Sequence, residues 1–403
     1  MLNRWVQWVY YRLQSLQQDR LGYDWVNPIM MLILSSIGLA LIYSVQLDVD
    51  AYAKWHQQLV WILVGLCVYG VTAHIHYKFF FQNAHWLYLL SIIALCALWT
   101  PLGKSFGGSR RWIRCGAFAV QPSTLGTLAV LLMCVNHLAR MHFTSLKEHM
   151  DGILYTAIIG CIPCLLIFIQ PDLGSAILIP MVLLGLWFVA NIKLRFFVGL
   201  MVVGVLGFGI IALDSYAYSA QLQQKTFTIK PFLPLKDYQR NRILSFAAPS
   251  VVDPRGVTVG WQLKQSLIAI GSGGTSGKGW LNNMQSQLGF LPKATSLDDF
   301  IFAVLAEETG LWGTYFVFAL YGILILNTLR IALIARDLFG YYLCVGIALL
   351  MAMHVWINVG MTLGIMPITG ISIPFLSYGG SFMLMCFFSQ GLVQSVYRFR
   401  LSK

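Results

Sequence analysis

Apolar residues run in long unbroken blocks along this chain of 403 residues. A transmembrane helix takes about 20 predominantly apolar residues. Ten segments of that kind stand out: residues 26–46, 57–75, 84–102, 122–140, 152–170, 174–191, 195–214, 301–329, 341–366 and 374–397. The fifth and sixth are parted only by the turn Gln170-Pro171-Asp172-Leu173-Gly174. Glycine and proline inside a span do not argue against it, because neighbouring helices satisfy the freed backbone groups. One long polar stretch, residues 215–300, separates the seventh segment from the eighth. The pattern predicts an all-α polytopic membrane protein of about ten transmembrane helices, one domain over residues 1–403 with one large loop.

Composition agrees. The chain is 58% hydrophobic and 10% charged, whereas a soluble domain carries about 25% charged residues. Lipid must therefore be much of its solvent. Lysine and arginine in short loops mark the cytoplasmic side. Arg4, Arg12 and Arg20, then Lys78, Arg140, Lys147, Lys193, Arg195, Arg330 and Arg336, and finally Arg398, Arg400 and Lys403, all fall on one side of the predicted bundle. Both termini are expected inside, as an even number of spans requires, and residues 215–300 outside. Residues 1–25 mix arginine with aromatics and lack an apolar core followed by a cleavage site. An interfacial amphipathic helix and a solvated cytoplasmic tail both fit. Cys161 and Cys164 form a CxxC inside a span with no second pair nearby, which points to packing rather than redox or zinc chemistry.

The outer side breaks the charge rule. Residues 103–120 carry Lys104, Arg110, Arg111 and Arg114 with no acid. Arginine is the usual partner of phosphate, so an anionic ligand at the outer leaflet would account for them; contact with lipid headgroups is the plainer reading. The 215–300 loop is also basic and aromatic. Its centre, Gly271 to Gly279, is no nucleotide-binding P-loop: Ser272 stands where the first glycine belongs and Gly279 replaces the hydroxyl residue. These glycines either let backbone approach a ligand or make a turn. Asp298 and Asp299 then stand at the lip of the eighth segment, with Glu307 and Glu308 about two turns inside. A charge at membrane depth costs at least a few kcal/mol, so such acids must face protein or water. A partly desolvated carboxylate there suits a general base; capping of the helix start is an equal reading. His354, close to Asn358, reads as a buried hydrogen-bonded histidine.

Several blocks recur in a telling order: Gly108-Ser109-Arg110-Arg111-Trp112, Gln121-Pro122-Ser123, Gln170 to Gly174, Tyr238-Gln239-Arg240-Asn241-Arg242, and Gln265 to Gly274. They continue with Gly277-Lys278-Gly279-Trp280, Gln285-Ser286-Gln287-Leu288, Asp299-Phe300-Ile301-Phe302-Ala303 through Glu308, and Pro374 to Ser381. Nearly the whole chain thereby resembles the SEDS family of RodA, FtsW and SpoVE proteins, and RodA most of all. The resemblance implies a peptidoglycan glycosyltransferase of the bacterial cytoplasmic membrane that polymerises lipid II for wall elongation and cell shape. It implies Asp299 as general base, with Asp298 a rival and Glu307 and Glu308 in the same site. Arg111, Arg240, Arg242, Lys264, Lys278 and Asp172 would bind substrate and pyrophosphate. A divalent cation, Mg2+ or Mn2+, and no organic cofactor would serve the reaction. The implied partners are lipid II, a class B penicillin-binding protein and other elongation-complex membrane proteins, with no nucleic acid. A lipid II flippase and a non-catalytic scaffold are the alternatives. Thr124 and Thr127 stand where the family has Glu and Lys, the stretch before Asp298 is longer and lacks the family's His, and residues 215–236 are longer than expected.

Overall fold

The computed structural model describes residues 22–46, 54–106, 109–115, 118–141, 143–170, 172–222, 232–233, 240–241, 244 and 260–401. The helices are α1 (Val26–Val45), α2 (Lys54–His74), α3 (Tyr77–Ala97), α4 (Pro122–Leu138), α5 (Leu146–Ile169), α6 (Leu173–Val189) and α7 (Leu194–Leu222). Three helices of the 215–300 stretch follow: α8 (Trp261–Gly273), α9 (Met284–Gln287) and α10 (Lys293–Leu297). The last are α11 (Ile301–Leu333), α12 (Leu338–Thr362) and α13 (Gly380–Arg398). Among the described residues, seven helices (α1, α2, α3, α5, α7, α11 and α12) are long and apolar enough to cross a membrane. The apolar helices α4 and α6 are shorter, and α13 coincides with the last predicted segment. The chain is thus an all-α polytopic membrane protein.

Local chemistry moves several predicted boundaries. Helix α3 begins at Tyr77 rather than residue 84, because His76 caps it, its ring accepting the Lys78 amide at 3.2 Å. Helix α5 begins at Leu146 through a capping box, in which Ser145 and Glu148 satisfy each other's amides. Helix α7 runs on to Leu222, so the outer loop does not open with coil at residue 215. Residues 103–120, expected as a plain loop, carry a three-stranded antiparallel sheet, Gly103–Phe106, Ser109–Cys115 and Phe118–Val120, with Gly103 opposite Ile113 and Ile113 opposite Val120.

Helix α12 is the most enclosed span and α7 the least. Around α12 pack α11, α6 and α4, while α13 lies against α2. Toward the N-terminal end of α1 a buried polar network crosses three helices. Asn27 donates to Thr328 and Gln390 at 3.1 and 3.0 Å, and Asn327 donates to Asp24 and Asn27 at 2.8 and 2.9 Å. Arg330 pairs with Asp24 at 2.9 Å. Such groups are tolerated in an apolar bundle only because they answer one another.

Candidate active site

The corner between α10 and α11 presents Asp298 and Asp299. The amides of Asp299 and Phe300 both donate to the Thr295 carbonyl at 3.0 Å. Phe300, fully buried, anchors the corner against Ala269, Leu291 and Ala303. Opposite lies the non-helical stretch 369–379 that precedes α13. Asn358 of α12 donates through Nδ2 to the carbonyls of Asp299 at 2.9 Å and of Ile371 at 2.6 Å. Ser377 does the corresponding work for the neighbour: its hydroxyl donates to the Asp298 carbonyl at 2.6 Å and accepts the Ile373 amide at 2.9 Å. The Tyr378 amide donates to the Leu297 carbonyl at 2.9 Å. Gly370 has φ +74°, and a Cβ built on it would lie 3.3 Å from the Asp299 Oδ2 atom. The carboxylate therefore rests against bare backbone.

Charge at this corner is unbalanced. Burial, and then the negative charge of Asp299, raise the Asp298 pKa well above the ordinary carboxylate value, while Lys54 pulls the other way. The Lys54 ammonium sits 5.3 Å from the centre of the Tyr378 ring, whose hydroxyl donates to Gln57 at 2.6 Å. Burial and the charge of Asp298 also push the Tyr378 phenol up. A carboxyl group whose proton affinity is driven upward beside a second carboxylate can take a proton from a hydroxyl.

A second cluster adjoins the first. Asp172 is buried and caps α6, accepting from the Ser175 amide at 3.4 Å. It also accepts from the hydroxyls of Ser123 at 3.0 Å and Ser175 at 2.9 Å and from Gln121 at 3.3 Å. Arg111 lies 3.9 Å from its carboxylate and donates to the Gln170 carbonyl at 3.3 Å. The two clusters share a wall: a Cβ on Gly174 would meet Ile371 and the Thr369 carbonyl at 2.6 and 2.9 Å, on either side of Gly370. Ser381, at the start of α13, ties in as well, accepting the Gln121 amide and donating to the Ala119 carbonyl, both at 3.1 Å. Arg111, Asp172, Asp298 and Asp299 thus surround one stretch of backbone.

Glu307 and Glu308 occupy a different setting. Helix α11 is broken at Gly310 (φ 65°, ψ −161°). The carbonyls of Glu307 and Glu308 accept the amides of Lys278 and Gly279, each at 3.0 Å. The amides freed beyond the break, Leu311 and Trp312, donate to the carbonyls of Gly274 and Thr275 at 3.0 and 3.3 Å. The glycine-rich loop is spliced into the helix, and every interrupted bond is replaced. Its glycines are there for backbone-to-backbone approach: a Cβ on Gly273 or Gly277 would fall 2.1 Å from the carbonyl oxygens of Ala306 and Glu308. Residues 301–308 are all buried, whereas Trp312 is 72% exposed. Residues 311–333 extend about 34 Å, enough for the hydrocarbon core alone. The glutamates therefore lie in a protein-enclosed part of the helix on the N-terminal side of the break, facing protein as acids in such a segment must. Glu307 pairs with Lys278 at 2.5 Å, and Glu308 bonds Ser44 and Asn283.

The remaining expected cations divide. Arg240 is buried against Asp214 at 2.9 Å and donates to the Leu233 carbonyl at 2.7 Å. Asp214, which also accepts the amides of Phe232 and Leu233 at 2.7 and 2.8 Å, escaped sequence reasoning, although an acid closing an apolar segment was its signal. Lys264 is exposed on α8. Arg242 lies outside the described residues, as do the side chains of Lys104, Arg110 and Arg114. Thr124 and Thr127 bond the carbonyls of Gln121 and Ser123 at 2.7 and 2.9 Å, so neither substitution leaves a buried charge alone. His354 is buried and bonds the Leu350 carbonyl at 2.8 Å within its own helix. Among the described residues no group of three or more His, Cys, Asp and Glu gathers to hold a metal.

Residues 24–401 match the FtsW, RodA and SpoVE family of cell cycle proteins. The chain belongs to that family. It is 36% identical to the peptidoglycan glycosyltransferase MrdB of Escherichia coli K12 over 93% of this chain and 94% of that one. Stage V sporulation protein E of Bacillus subtilis is 32% identical over 93% of this chain and 97% of its own length. Among solved structures, a chain of a peptidoglycan synthase complex that coordinates polymerization and crosslinking superposes with a TM-score of 0.74 at 24% identity, covering 95% of this chain and all of that one. RodA of Thermus thermophilus superposes at 0.66 and 22% identity, covering 96% of this chain and all of that one. These two likenesses concern the fold. In this member of the FtsW, RodA and SpoVE family the Asp298–Asp299 corner lies against residues 369–379.

Proposed function

We propose that this chain is a peptidoglycan glycosyltransferase that polymerises lipid II at the outer face of the bacterial cytoplasmic membrane, with both termini in the cytoplasm. The identity to named peptidoglycan glycosyltransferases supports the activity. The observation that carries the site is the Asp298–Asp299 corner, whose backbone is pinned by Asn358 and Ser377 while Asp299 rests on Gly370. Asp299 takes the proton from the 4-hydroxyl of the acceptor GlcNAc as that oxygen bonds to C1 of the donor MurNAc. The bond from C1 to the pyrophosphate oxygen breaks, and its electron pair leaves with undecaprenyl pyrophosphate. A positioned base is worth roughly 10²–10⁴-fold. Arg111, held by Asp172 beside the same wall, and Lys54 are the cations nearest in this arrangement to a departing pyrophosphate.

A divalent cation, Mg2+ or Mn2+, fits these residues in one particular way. Without a three-ligand cage among the described residues, Asp298 and Asp299 would hold it together with the phosphates of the substrate, the usual manner of Mg2+. Its chemistry there is neutralisation of the leaving pyrophosphate. A class B penicillin-binding protein, crosslinking the new glycan, is the proposed partner.

The test uses the full chain in detergent with lipid II, a divalent cation and the penicillin-binding partner. Glycan chains form with the unaltered protein and vanish with Asp299→Ala. Polymer that persists in Asp299→Ala and vanishes in Asp298→Ala would move the base to Asp298.

A further inference from the structure

We propose that Asn358 is a positioning residue for the reaction, joining the Asp299 backbone to the wall on which its carboxylate rests. The inference builds on the reading of Asp299 as base. Asn358 is completely buried in α12, and its single amide nitrogen serves two carbonyls that are far apart in sequence. One belongs to Asp299 itself. The other belongs to Ile371, next to Gly370, whose bare Cα faces the Asp299 carboxylate. The amide thus fixes both the base and the surface behind it by one group, and it does so from a helix that is largely enclosed by its neighbours.

The chemistry needs this residue type. A primary amide carries two hydrogens that diverge, so one nitrogen can serve two acceptors. A hydroxyl has one hydrogen, and a carboxylate has none. Both carbonyls sit inside the protein, where an unanswered acceptor is costly. Neither the corner nor the 369–379 stretch is regular secondary structure at the point of contact, so no backbone ladder substitutes for the bridge. Ser377 makes a parallel bridge from Asp298 to Ile373. The Asn358 bridge is the one of these two that reaches the residue whose carboxylate rests on Gly370.

The experiment measures lipid II polymerisation by the full chain with its penicillin-binding partner, comparing Asn358→Leu, Asn358→Gln and Thr362→Val, with melting recorded for each. Asn358→Leu keeps the volume and loses both hydrogens. Its kcat should fall on the order of 10²-fold, the scale of a misplaced reacting group, with KM for lipid II unchanged. Asn358→Gln, which retains the amide on a longer stem, should recover part of that loss. Thr362→Val removes a hydroxyl bonded within α12 and should leave kcat alone. If Asn358→Leu does not fold, Asn358→Ser is compared with Asn358→Gln in the same way. Unchanged kcat in a folded Asn358→Leu, a change confined to KM, or equal losses in the Leu and Gln variants would each overturn the proposal. The Asp299→Ala variant separates the two levels: if it retains polymerase activity the base assignment fails, whereas its inactivity beside a fully active Asn358→Leu sinks the positioning role alone.

Discussion

Replacing Gly277 by alanine tests whether the glycine loop is a splice in α11 or a surface turn. At φ +76° an alanine Cβ would lie 2.1 Å from the Glu308 carbonyl oxygen. The left-handed backbone alone costs an L-residue about 1–2 kcal/mol. Ordinary contact is about 3.5 Å, so the loop must withdraw by roughly 1 Å. That movement breaks the bonds from Lys278 and Gly279 to the carbonyls of Glu307 and Glu308. A buried carbonyl left without its donor costs about 1–3 kcal/mol, and with two of them the variant should lose about 3–8 kcal/mol in all. Gly271→Ala is the matched control. It lies in α8, where a Cβ meets nothing within 4 Å, and helical alanine should stabilise by roughly 0.5–1 kcal/mol. Both are read by denaturant unfolding in detergent, followed by tryptophan fluorescence. Equal stability of the two variants would refute the splice.

Other outcomes follow from the buried charges. Asp214→Ala removes the carboxylate buried against Arg240 and should cost about 3–5 kcal/mol, measured by the same unfolding. Lys278→Ala leaves Glu307 buried without its cation and should destabilise as much, whereas a Lys278→Met/Glu307→Met double variant should recover most of the loss. Asp298 has its folded pKa raised, so the native state binds more protons than the unfolded chain above about pH 4. Stability should therefore fall as pH rises from there through the raised pKa, and Asp298→Asn should flatten that slope. A melting curve at several pH values checks it, and a slope kept in the variant would assign it to another group.

The all-α membrane architecture was legible because lipid imposes a strict rule: long apolar blocks mark helices, and among the described residues seven helices long and apolar enough to cross a membrane lie on such blocks. Boundaries set by single side chains were not legible. The His76 cap and the Ser145–Glu148 box extend helices into stretches that read as polar loops, and the Ser109–Cys115 strand hides in a basic segment too short to announce itself. Half of the candidate site was visible as acids at a helix lip. Its other half was not, since Gly370, Ser377 and Asn358 carry no charge and lie far from Asp299 in sequence. The Pro374 to Ser381 block looked like the start of a span; its role as the opposing wall depends on a tertiary contact. The partners of Glu307 and Glu308 were hidden for a related reason. Hydropathy has no means of registering a helix that is interrupted by a distant loop and yet remains apolar throughout.

The break at Gly310 also bears on how the chain is made. Residues 274–279 leave the ribosome before residues 307–312, yet each group needs the other to satisfy its amides and carbonyls. Buried backbone groups left unanswered are costly. Helix α11 can therefore settle into its final form only after the preceding loop has folded back to meet it, and the order of synthesis makes the loop wait for the helix.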